Sequence, residues 1–122
     1  MSFQNIHVMA GGNPDRFQSY LKQIGQQLET EVAALVGACR EGESNVTRTI
    51  VHRLLSLTPL VESREFTDLL QSCQRAARRQ DLSLLQKLGQ AVEREYGLVR
   101  GALQDALVSR PPTQNTTLRK SA

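Results

Sequence analysis

The chain has 122 residues, enough for one packed core and too few for two. Aromatic residues make up 4% of it and Trp is absent; few stretches show the β-branched and aromatic alternation of a half-buried strand, and the abundant Leu, Ala, Gln, Glu and Arg favour helix. Fifteen Lys and Arg against twelve Asp and Glu give a net charge of +3, and the acidic side chains are scattered among the basic ones, which weighs against a dense nucleic-acid-binding stripe.

No apolar run approaches membrane-spanning length, and the N-terminus lacks the charged-then-apolar order of a signal peptide. The expected location is cytoplasmic, or the cytoplasmic part of a larger membrane-anchored protein. Cys39 and Cys73 are too few and too far apart in sequence for a metal site or a disulfide framework. Both fall at apolar positions of predicted helices, where a free thiol acts as a small hydrophobe.

Residues 2–10 suit a short helix ended by Gly11-Gly12, so residues 1–12 read as a leading helix and turn. Asn13-Pro14-Asp15 is a helix start: an N-cap side chain, a proline in the first turn and an acid where the dipole favours it. Phe17, Leu21, Ile24, Leu28, Val32, Leu35 and Cys39 then mark one long amphipathic helix over 14–40, closed by Glu41-Gly42. Ser44 is the predicted cap of a second main helix with Val46, Ile50, Leu54, Leu57 and Val61 inward; Pro59 predicts a bend or an early end. Ser63 caps a third, with Phe66, Leu69, Leu70, Cys73, Ala76 and Ala77 inward, finishing near Gln80. Asp81 caps the fourth, striped by Leu85, Leu88, Val92, Tyr96, Val99, Leu103 and Ala106. Four amphipathic helices on short connectors predict an all-α, up-and-down antiparallel four-helix bundle over 13–109, with the short extra N-terminal helix before it. The polar, Pro-containing stretch 110–122 reads as a flexible tail, in which Arg119 and Lys120 have no assigned role.

At about 100° per residue, His52 projects almost opposite the Ile50–Leu54–Leu57 stripe. Its outer-face neighbours are Arg48 at i−4, Leu55 at i+3, Ser56 at i+4 and Pro59 at i+7. An exposed imidazole beside a cation is a candidate nucleophile near neutral pH, although a solvated histidine is the commoner outcome of such a pattern. His7, close to the terminus, has less in its favour. Arg75, Arg78 and Arg79 lie late in the third helix, where cations complement the negative dipole end; they read as a solvated face, with steering of an acidic partner as the other reading.

Over residues 10–107 the chain resembles the histidine-containing phosphotransfer (HPt) family. The likeness rests on AGGNPDRFQSYLKQIGQQLETEVAAL as the helix start and first bundle helix, and on CREGESNVTRTIVHRLL as the turn into the histidine helix. QRAARRQDLSLLQKL is similar to the later helix–Asp–helix junction, and TPLVESREF resembles the form found in some hybrid sensor kinases. The family motif His-x-Leu-Lys-Gly reads here His52-Arg53-Leu54-Leu55-Ser56, so histidine and leucine match while lysine and glycine do not. The resemblance implies that His52 accepts a phosphoryl group from a receiver-domain aspartate and passes it to another receiver. Leu55, Ser56 and Pro59 would form the docking surface, with Arg48 supplying positive charge beside the imidazole. It implies no ATP-dependent kinase activity, no cofactor of the chain's own, and Mg²⁺ brought by the receiver. A hybrid sensor kinase is a further expected partner, and neither nucleic acid nor membrane is.

The missing lysine and glycine leave a second reading, an HPt-like bundle that binds receiver or kinase domains without passing phosphate. A helical nucleic-acid-binding module is the third, motivated by a pI of about 9.2. It is expected to fail at the first test: fluorescence anisotropy with labelled DNA and RNA at low salt should show no binding, whereas an affinity that falls steeply with salt would revive it.

Overall fold

A computed structural model describes residues 2–108 as five helices: α1 (Gln4–Met9), α2 (Pro14–Glu41), α3 (Ser44–Val61), α4 (Arg64–Arg78) and α5 (Leu82–Val108), with no strand among those residues. The predicted tail, 110–122, lies outside the described residues. None of the described helices is long and apolar enough to cross a membrane.

The caps expected from sequence set most of the boundaries. The Asn13 side-chain oxygen accepts from the backbone N–H of Asp15 and Arg16 at 2.9 and 3.1 Å and opens α2. The Ser63 hydroxyl accepts from Phe66 N–H at 3.3 Å to open α4, and the Asp81 carboxylate from Leu84 N–H at 3.2 Å to open α5. At the end of α2, Gly42 takes φ 69°, and the Gly42 and Glu43 amides donate to Cys39 and Ala38 carbonyls.

That closure overrides the predicted Ser44 cap. Ser44 is already the first helical residue, Glu43 precedes it, and no side chain caps α3. The two-residue turn sets where α3 begins. Pro59 does not end α3 early either, for the helix runs on to Val61. Proline cannot donate to the Leu55 carbonyl, but the Thr58 hydroxyl does so at 2.8 Å. From α1, Asn5 donates its side-chain amide to the Pro59 carbonyl at 2.6 Å and its backbone N–H to Glu62 at 3.1 Å.

α2 packs against α3 and α5, α4 packs against the same two helices, and α1 lies on α2 and α3. Leu21, Leu28, Leu35, Leu54, Leu70, Leu85 and Val92 are fully buried where these helices meet, and Phe3 and Ile6 tie the leading helix into the same core. His7 stacks on Phe17 with ring centroids 3.7 Å apart. Leu69, Leu88 and Ala106, expected inward, sit half-buried at its edge.

The buried face of α3 differs from the predicted stripe. Thr47, Val51 and Thr58 join Ile50, Leu54, Leu57 and Val61 inside, whereas Val46 is 45% exposed. A helix wedged between two neighbours buries a wider arc than one apolar stripe, and here the arc is turned toward Thr47 and Val51. Leu55, predicted on the outer face, falls at the arc's edge and packs half-buried against the core.

Two local contacts generate tests. Gly89 brings α5 so close to α2 that an added Cβ would lie 2.7 Å from the Cys39 Cβ, while a Cβ at Gly37 would meet nothing. Gly89→Ala should therefore cost about 1–3 kcal/mol and Gly37→Ala should gain about 0.5–1 kcal/mol, read as midpoints of urea unfolding. Further along the same helix pair, Glu29 accepts from the Tyr96 hydroxyl at 2.7 Å and forks onto Arg100, whose guanidinium lies 4.9 Å from the Tyr96 ring centroid. The Tyr96 hydroxyl and then Arg100 hold the Glu29 carboxyl below its ordinary value of 4.5, and burial foremost pushes the Tyr96 phenol up. A depressed carboxyl stabilises above its unfolded value and loses that contribution as pH falls through its folded one. The stability gap between wild type and Glu29→Gln should thus be largest near neutrality and shrink below pH 4.5 in acid-unfolding curves.

Candidate functional site

His52 is exposed on α3, in the wall of a shallow groove of about 510 Å³ where α3 meets α4. Asn45, Arg48, Thr49, His52 and Arg53 come from α3; Gln74 and Arg78 come from α4. The spacing explains the arrangement. Positions 45, 48, 49 and 52 recur every three or four residues and share one face, and 74 and 78 are one turn apart on the facing helix. The same two-sided packing that buries Thr47, Ile50, Val51 and Leu54 turns this face outward.

The groove is positively charged. Arg53 forks onto Glu31 of α2, with its second bond at 3.3 Å, so its guanidinium is engaged away from the groove's centre. Neither Arg48 nor Arg78 pairs with a carboxylate among the described residues. Two cations and the Gln74 and Asn45 amides therefore share the groove with an accessible imidazole, while the Thr49 hydroxyl is donated to the Asn45 carbonyl at 3.2 Å. Such a set can offer a nucleophilic nitrogen and donate hydrogen bonds to an anion beside it. No three metal-ligating side chains converge among the described residues.

The structure divides the residues singled out from sequence. His52 and Arg48 share the groove. Leu55, Ser56 and Pro59 lie further along α3 toward α1 and do not line it. Ser56 is exposed, with its hydroxyl donated to the Arg53 carbonyl at 2.6 Å, and Pro59 is exposed beside Asn5. Leu55 departs from expectation, being half-buried rather than an outer-face leucine, because α3 is rotated toward that side.

Asn45, Thr49 and Gln74 of the groove escaped the sequence reading. Asn45 and Thr49 stand at i−7 and i−3 from His52, and spacing along the helix would have found them. Gln74 and Arg78 carry no such signal. Arg78 read as part of a solvated face, with steering of an acidic partner as the other reading, and only the packing of α4 on α3 brings it into the groove that His52 lines.

No family model matches the chain, and no curated protein or solved structure matches it either.

Proposed function

We propose that the chain is a histidine phosphotransfer domain in which His52 accepts a phosphoryl group from a receiver-domain aspartate and passes it to a second receiver. In this reading α2–α5 form an up-and-down antiparallel four-helix bundle, which the pairing of α2 and α4 with both α3 and α5 supports. The observation that carries the proposal is one exposed imidazole flanked by Arg48 and Arg78 in an open groove.

The chemistry follows from that geometry. An unprotonated ring nitrogen attacks the phosphorus of the aspartyl phosphate; a P–N bond forms as the P–O bond to the carboxylate breaks. The second ring nitrogen keeps its proton, so the ring becomes cationic as the P–N bond forms, and that positive charge offsets part of the phosphoryl charge until the proton passes to solvent. Developing negative charge on the phosphoryl oxygens meets Arg48, Arg78 and the Gln74 amide. Because the groove is open, the remaining charge stabilisation comes from the partner, which brings its own Mg²⁺. The absent motif lysine, Leu55 in this chain, is offset by the cation contributed from α4. Ser56, Pro59 and the exposed edge of Leu55 form the docking surface next to the groove. The relay places the chain in the cytoplasm, with receiver domains and a hybrid sensor kinase as partners.

A bundle that binds receivers without accepting phosphate is the second reading, and the neutral, half-buried Leu55 favours it. Incubation with a phosphorylated receiver separates the two. Acid-labile label should appear on the wild type and be absent from His52→Gln. Arg48→Ala and Arg78→Ala should each slow transfer by about fivefold, the scale of an exposed charge contact. Receiver binding without label on the wild type would establish the non-transferring reading. An unchanged rate and phosphohistidine lifetime in Arg48→Ala would remove that residue from the site.

A further inference from the structure

One layer of the core is chemically unlike the aliphatic layers around it. Cys39 of α2, Thr47 of α3, Cys73 of α4 and Gly89 of α5 converge there, all buried. The Cys39 thiol meets the Cys73 thiol and the Thr47 hydroxyl, and the Thr47 oxygen has no hydrogen-bond partner of ordinary geometry. Small residues draw the helices together at this level: α5 approaches α2 until Gly89 stands against Cys39 with no room for a Cβ. The only two cysteines in the chain, far apart in sequence, are thus brought face to face.

We propose that Cys39 and Cys73 are a redox-active dithiol, oxidised by a hydroperoxide to a disulfide that joins α2 to α4. This holds whether or not His52 carries phosphate. Both thiols are fully buried, and the contact with Cys39, together with burial, holds the Cys73 thiol above its ordinary value. The same contact lowers the Cys39 thiol, so Cys39 is the sulfur that reacts first, but burial keeps oxidant from both and the first step waits on a transient opening of the helices. One thiol then loses its proton and its sulfur attacks a peroxide oxygen. The O–O bond breaks, and hydroxide leaves and takes up that proton as water. The resulting sulfenic acid faces the second thiol, whose sulfur displaces the hydroxyl group; the S–O bond breaks, the S–S bond forms, and the thiol proton leaves with hydroxide as a second water. Two thiols have lost two electrons and two protons, and the peroxide has gained both.

The full chain, treated with hydrogen peroxide, quenched, unfolded in denaturant and alkylated with a maleimide, provides the test. Both cysteines should escape alkylation together in a monomer lighter by two hydrogens, and reductant should restore both. In Cys73→Ser, which lacks the resolving thiol, a 1,3-dione should trap the sulfenic acid on Cys39. Two thiols that remain alkylatable in the treated wild type would overturn the proposal, as would disulfide-linked dimers or sulfinic acids in place of the internal bond. The wild-type thiol count decides the matter even if the variant fails to fold.

Discussion

The two-sided burial of α3 is the constraint from which the rest of this molecule follows. With α2 on one side and α4 on the other, α3 must hide Thr47, Ile50, Val51, Leu54, Leu57, Thr58 and Val61. Fully burying a single large aliphatic side chain is worth about 1.5–3 kcal/mol, so rotating α3 to expose the arc and hide His52 would forfeit several such contributions at once. The imidazole is exposed because the opposite face has no freedom to be. α1 reinforces the orientation at the far end of α3, where Asn5 holds the Pro59 carbonyl and Glu62.

The packing of α4 then supplies what α3 alone lacks. A histidine on a single helix has cations only from its own sequence neighbours, here Arg48 and Arg53, and Arg53 is drawn off by Glu31. Gln74 and Arg78 restore polar and positive groups from the second wall. A site shared by two helices keeps its geometry through core packing between them, since Phe66, Leu70, Cys73 and Ala77 are buried on the inner side of α4. Charge in the groove is consequently a property of the helix pair.

The core itself is uneven along its length. Large aliphatic and aromatic side chains fill most layers, but the Cys39–Thr47–Cys73–Gly89 layer is narrow and polarisable. Close packing there leaves no slack for a methyl group at Gly89, so this layer fixes the spacing of α5 and α2. Across the outer side of that same helix pair, Glu29 clamps Tyr96 and Arg100 of α5 to α2.

Helix existence and most of the caps were legible in sequence because they are local. Asn13, Ser63 and Asp81 satisfy amide groups two or three residues away, and Gly42 takes a conformation that needs no Cβ. The outward projection of His52 was legible too, since it depends on a helical period set against an apolar stripe. What required the tertiary structure was everything decided between helices. The rotation that buried Thr47 and half-buried Leu55 depends on having two neighbours, the continuation of α3 through Pro59 is helped by Thr58 and by Asn5 of α1, and the sharing of one groove by Arg78 and His52 depends on how α4 lies on α3. The contact of two distant cysteines across the core has the same origin. A sequence fixes which side chains share one helix face, but the relative placement of two faces is set by packing that no single segment contains.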